Sequence, residues 1–128
     1  MFIPHKYENG IQPWEYLQAA AGSYKCGQAV SVTGGKVTPI AAALKTTPPY
    51  ICMADVTVDD GHAVPVIRTN HEIVFETTLS AEAAAAAVGS MLEVSAGGLQ
   101  VDAAAAGTFE VTDIEATAAG GTVYGRFK

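Results

Sequence analysis

From Gly27 to the end of the chain, apolar and polar residues alternate with a period of two, and glycine or proline interrupts the alternation at short intervals. That pattern predicts β-strands joined by tight turns. QAVSVTGGKVTPIAA (residues 28–42) reads as a strand, a Gly34-Gly35 turn and a second strand, with the glycines supplying the positive φ of a two-residue hairpin. TTPPYICMADVTV (46–58) opens on a proline pair that precedes a strand, and alternation places Tyr50, Cys52, Ala54, Val56 and Val58 on one face. VTVDDGHAVPVIR (56–68) reads as two strands joined at an Asp-Gly turn, and EIVFETTL (72–79) as a further strand. SMLEVSAGGLQVDA (90–103) is a hairpin turning at Ala96-Gly97-Gly98. GTFEVTDIEATAAGGTVYGRFK (107–128) is a strand, a Gly-Gly turn and a last strand in which Val123, Gly125 and Phe127 share a face.

Two stretches depart from this period. SAEAAAAAVG (80–89) has a capping serine, Glu82 in the first turn and a run of alanine, which favours helix. A helix this short is marginal in water, so it is expected as a connector of one or two turns. Residues 1–25 carry the only Trp and three of the five Tyr; PWEYLQAA suits a short helix begun by Pro13 and stopped by Gly22. Phe2, Ile3, Trp14, Tyr16, Leu17 and Tyr24 make this segment too apolar for a free tail. It either packs on its own domain or is an arm that docks on a partner. The expected fold is therefore all-β: a small, compact β-barrel or β-sandwich over residues 26–128, with a short Ala-rich helical connector and an extended N-terminal arm over residues 1–25.

Composition narrows the function. The 128 residues suffice for one domain, and 49% hydrophobic against 16% charged residues excludes a disordered chain. A net charge of −6 argues against nucleic acid, whose binding draws on phosphate neutralisation. The charge is uneven: residues 1–50 hold Lys6, Lys25, Lys36 and Lys45 against Glu8 and Glu15, while residues 51–128 hold three basic and eleven acidic groups. Such a split can draw one part of the chain to the other part of a neighbouring copy, or to an acidic partner. MFIPHKYENG lacks a basic stretch followed by an apolar run, so no secretory leader is expected, and no stretch is long and apolar enough for a membrane span. Cys26 and Cys52 form no C-x-x-C; two buried free thiols are the simpler reading and one disulfide the other.

No constellation points to catalysis, a metal or a cofactor. Asp55, Asp59 and Asp60 are spaced by four and one, unlike a calcium loop, and no Glu closes the set. His5, His62 and His71 make no zinc spacing, and in Asn70-His71-Glu72 the neighbours point to opposite faces of a strand. TGGKVT is not a phosphate loop, because Val30 stands at the first glycine position and Val37 follows the lysine. Arg68 and Arg126, set among apolar residues, are expected in structural ion pairs rather than on a substrate. A non-enzyme is expected.

In the succession GQAVSVTGGKVT, PPYICMADVT, AVPVIRTNHEIVFET, VGSMLEVSAGGLQVDAAAAGTFEV and GGTVYGRFK, the chain resembles the small head decoration, or capsid-stabilising, proteins of tailed bacteriophages. The likeness runs from about Gly27 to the end and is one of pattern and phrase; the N-terminal arm matches only in kind. The resemblance implies a structural virion protein on the outer capsid surface, made in the host bacterial cytoplasm. It would bind the major capsid protein at capsomer junctions as a homo-oligomer, commonly a trimer, and brace the head against DNA pressure. Contact residues would then come from Phe2, Ile3, Trp14, Tyr16, Leu17 and Tyr24. The second reading is a β-barrel module of a phage fibre or adhesin that holds host carbohydrate on Trp14, Tyr16 and Tyr24.

Overall fold

The computed structural model describes residues 1–7, 14–69, 72–103 and 106–128. Thirteen strands follow one another: β1 (Ile3–Tyr7), β2 (Trp14–Gln18), β3 (Gly22–Tyr24), β4 (Ala29–Thr33), β5 (Lys36–Pro39), β6 (Tyr50–Cys52), β7 (Val56–Val58), β8 (Ala63–Arg68), β9 (Ile73–Thr78), β10 (Met91–Val94), β11 (Val101–Asp102), β12 (Phe109–Ile114) and β13 (Thr122–Phe127). They form a six-stranded sheet, β1-β9-β13-β12-β10-β11, a five-stranded sheet, β2-β8-β6-β4-β5, and the small pair β3-β7, with every pairing antiparallel.

The all-β expectation holds, and the hairpins predicted at Gly34-Gly35, at 96–98 and at the last Gly-Gly turn are present. Gly34 and Gly35 both have positive φ, 59° and 79°, as a two-residue turn between right-twisted strands requires. Of the two expected arrangements, β-barrel or β-sandwich, the barrel is not seen: the antiparallel sheets do not close. In the five-stranded sheet a single parallel bridge, Ala19–Val37, joins the chain just after outer strand β2 to outer strand β5; in the larger sheet the bridge Leu79–Val101 joins the chain just after β9, which lies inside β1, to outer strand β11.

The helical connector is also absent. Residues 80–89 are turns, in which Ala83 N–H donates to Thr117 O (2.8 Å) and Ala86 N–H to Ala83 O (2.8 Å). An alanine run this short has too few internal hydrogen bonds to outweigh a tertiary partner. PWEYLQAA is not helical either: β2 alternates, with Trp14, Tyr16 and Gln18 exposed and Glu15 and Leu17 half-buried, and pairs along its length with β8. Pro13 lies outside the described residues. The segment 1–25 thus supplies β1, β2 and β3, each to a sheet completed by later strands. VTVDDGHAVPVIR does turn at Asp59–His62, but it is no hairpin, because β7 pairs with β3 while β8 pairs with β2 and β6. Tyr50–Cys52 and Val56–Val58 consequently belong to different sheets rather than to one face.

The chain is built twice. In the first unit the strands β2, β4, β5, β6 and β8 have the spatial order β2-β8-β6-β4-β5; in the second, β9, β10, β11, β12 and β13 have the order β9-β13-β12-β10-β11. Taken in chain order within each unit, the two arrangements are identical. The backbone hydrogen bonds repeat as well. Gly61 N–H donates to Ala19 O and Ala19 N–H to His62 O; Gly120 N–H donates to Leu79 O and Leu79 N–H to Gly121 O. Gly27 N–H reaches Cys52 O where Gly89 N–H reaches Val111 O, and Lys25 N–H reaches Gln28 Oε1 where Ala87 N–H reaches Ser90 Oγ. The Ala83–Thr117 bond stands where β3 and β7 pair at Ser23–Thr57. The larger core lies between the units and draws Ala29, Ile40, Ile51 and Ile67 from the first; a smaller one, with Tyr24, Val37, Cys52, Val64 and Val66, fills the first unit.

Candidate functional site

The six N-terminal candidates do not form one patch. Phe2 is fully buried, and its ring packs at 5.5–6.4 Å from those of Phe75, Phe109 and Phe127. Its N–H donates to Gly27 O (2.7 Å). Tyr24 is buried in the smaller core, its hydroxyl 2.8 Å from Ala20 O and 2.9 Å from Val37 O. Leu17 packs against the same core. These three positions serve packing, so no partner reaches Phe2 or Tyr24 without opening the fold.

Ile3, Trp14 and Tyr16 remain at the surface, 46%, 46% and 72% exposed. Trp14 and Tyr16 point the same way from β2, opposite Ile67 and Pro65 of β8. β2 is an edge strand, so along one side its peptide groups lack a strand partner among the described residues, save where the chain beyond it meets β5 and the Asp59–His62 turn. From Pro65 the apolar surface continues. Met53 N–H donates to Pro65 O (2.9 Å), and Met53 lines an apolar groove of about 410 Å³ with Met1, Ile3, Cys26 and Leu99. Neither Pro65 nor Met53 was marked by the sequence as part of a surface, because both belong to the first unit's strand pattern and reach the edge only through pairing.

On the opposite face of the same strands, Arg68 clasps Glu15 through Nε (3.2 Å) and an Nη (3.1 Å), with its guanidinium 5.6 Å from the centre of the Tyr50 ring. The carboxylate and the ring hold the guanidinium firmly protonated. Arg126 and Lys128 pair with Glu110 at 3.6 and 2.8 Å. Both arginines therefore sit in ion pairs, as their surroundings in the sequence suggest.

The acidic residues near the turn are engaged in different ways. Asp59 O accepts from His62 N–H (3.1 Å), Asp60 binds Lys36 Nζ (2.6 Å), and Asp55 Oδ1 accepts from Cys26 N–H (3.1 Å). Among the described residues no three His, Cys, Asp or Glu side chains converge as a metal site; His71 lies outside them. The His5 ring lies tilted against that of Tyr124 at 4.8 Å and stands 4.0 Å from Glu76. Tyr124 donates to Glu115 Oε1 (2.8 Å), and that carboxylate, needing the phenol's proton, pushes the Tyr124 pKa up to about 12. Both cysteines carry free thiols, and burial pushes that of Cys52 up, which keeps it protonated and unreactive.

A further groove, of about 470 Å³, lies in the second unit between the alanine run and β10, with Ala83, Ser90, Met91, Leu92 and Ala103 among its lining residues. The low-complexity alanines carried no signal for it beyond their small size. In comparisons with known proteins, no family model matches the chain and no curated protein shows significant similarity to it.

Proposed function

We propose that this chain is a structural virion protein that binds the outer surface of an assembled tailed-phage capsid at capsomer junctions and stabilises the head against DNA pressure. Its partner is the major capsid protein, and it acts as a homo-oligomer, a trimer by the resemblance of its sequence to head decoration proteins. The observation that carries the reading is the exposed pair Trp14 and Tyr16 on edge strand β2. Aromatic side chains held by a sheet bury large area with little loss of freedom, and they dominate protein interfaces for that reason. An edge strand beside them offers backbone donors and acceptors to a second chain. Many copies engaging one lattice turn a modest single contact into firm attachment.

The test is co-sedimentation with expanded phage heads. The intact protein should pellet with the heads, and Trp14→Ser/Tyr16→Ser should weaken binding by roughly a hundredfold, the loss expected when a pair of interface anchors is removed. Undiminished binding by that variant sinks the reading. Deleting residues 1–25 is no test, since it removes three strands and Phe2. A carbohydrate-binding module would give the opposite result: a glycan-array signal lost in Trp14→Ala while no head binding is seen at all.

A further inference from the structure

The two units meet through a contact that is not reciprocated. The turn of the second unit's β10–β11 hairpin enters the first unit: Ala29 N–H donates to Gly98 O (2.7 Å), Gln28 Nε2 to Gly97 O (3.0 Å), and Gly97 N–H to Ile40 O (2.8 Å). The approach is so close that a Cβ on Gly98 would stand 2.1 Å from Ala29 O. Strand pairing identifies the counterparts of these groups. Ala29–Ile51 and Val30–Tyr50 in the first unit correspond to Met91–Glu110 and Leu92–Phe109 in the second, so Gln28 and Ala29 map to Ser90 and Met91. The β4–β5 turn at Gly34-Gly35 maps to the turn that docks.

Among the described residues, neither counterpart is occupied by the chain itself. A Cβ on Gly34 or Gly35 would meet nothing, so that hairpin tip stands clear. Ser90 and Met91 line the open groove of about 470 Å³ beside Ala103. A tip at one end and its receiving groove at the other are the two halves of a head-to-tail interface. Charge agrees with the direction. Residues 72–128 hold eight carboxylates against two cations, Glu82 among them on the groove, while residues 14–68 hold four of each; Lys36, which follows the free tip, is shared with Asp60 (2.6 Å).

We infer that a second copy of this chain docks its Thr33–Lys36 turn into the groove at Ser90, Met91 and Ala103, repeating between molecules the contact made between units within one. The inference goes beyond the capsid reading and does not rest on it, because the free protein carries both surfaces. Head-to-tail contacts of this kind close into a ring or continue as a filament.

Sedimentation velocity of the purified full chain over a concentration series tests it. The protein should self-associate. Thr33→Glu, which puts a carboxylate where docking would bury it, and Ala103→Trp, which fills the groove, should each abolish association; both positions are exposed, and circular dichroism checks that the fold survives. Mixing the two variants should restore a one-to-one dimer, since one keeps its groove and the other its tip. A wild-type protein that stays monomeric throughout overturns the inference, as does association untouched by either variant or a mixture that forms no dimer. Should Ala103→Trp misfold, Glu82→Lys serves in its place, with weakened association expected and unchanged association counting against the inference.

Discussion

The two units share a backbone and fill it differently. Register places Glu15 opposite Val66 and Phe75 opposite Gly125, and Tyr50 opposite Arg68 as Phe109 is opposite Phe127. One site therefore holds a Glu15–Arg68–Tyr50 cluster in the first unit and a Phe75–Phe127–Phe109 cluster in the second. The rings of the second pack edge to face, Phe127 at 5.7 Å from Phe75 and 5.2 Å from Phe109, and are covered by Phe2, whereas Arg68 is largely solvated. A covered site dehydrates whatever it holds, which favours rings and would penalise an ion pair; an open one leaves the pair hydrated at small cost. Gly125 follows from the same choice. A Cβ there would lie 2.5 Å from the Phe109 ring, while its counterpart Val66 fills the smaller core. The units also differ near their turns: Tyr24 plugs the first, where the second has alanine and an open groove. The side chains can differ this far because most of the contacts the units share are backbone hydrogen bonds, which do not depend on side-chain identity.

The comparison can be broken most sharply at Phe2. Phe2→Ala removes the cover from the aromatic cluster and should destabilise the protein by about 3–5 kcal/mol in urea unfolding. A loss under about 1 kcal/mol would mean that the cluster does not need its cover. Next comes the pair of matched glycines. Gly35→Ala pays only for a left-handed residue, about 1–2 kcal/mol. Gly98→Ala adds a collision with Ala29 and should cost about 1–3 kcal/mol more. Equal losses at the two turns would deny that only one of them is docked. Tyr24→Phe removes the hydroxyl bonded to Ala20 and Val37 carbonyls, for about 1 kcal/mol by the same unfolding measurement.

The smallest effect is electrostatic. Folding raises the Tyr124 phenol from 10 to about 12, so the folded state keeps its proton longer than the unfolded chain does. The stability this contributes is complete below pH 10 and is lost as pH rises toward 12. Ultraviolet titration should show one phenol ionising late, and Glu115→Gln should bring it back toward 10. The first unit has Pro65 at this place, so a late titration that survives Glu115→Gln would move the effect away from the second unit.

Much of the fold was legible from residue order. The glycine pairs at 34–35 and 97–98 and the alternation in Ile73–Thr78 and Thr122–Phe127 each act within a few residues, through φ and the two-residue repeat of a strand. The candidate surface was legible in part: of the six apolar residues singled out, Ile3, Trp14 and Tyr16 are exposed, whereas Phe2, Leu17 and Tyr24 pack inward. Nothing local separates those two groups, since an aromatic is equally suited to a core and to an interface. WEYLQ was misread as helix because its flanking proline and alanines outweighed a short alternation, and β8 decided the matter by pairing with it.

Local chemistry was thus settled by the chain alone: most strands after Gly27, the Gly-Gly turns, a strongly acidic second half and the ion-pairing surroundings of Arg68 and Arg126. The tertiary structure decided which strands become neighbours, that β1, β2 and β3 join sheets with later strands, that the sheets stop short of a barrel, and that one five-stranded unit is built twice. Those features rest on backbone hydrogen bonds between residues far apart in the chain, such as Gly61 to Ala19 and Gly120 to Leu79. Every residue carries the same donor and acceptor, so such pairings leave almost no mark on the order of side chains.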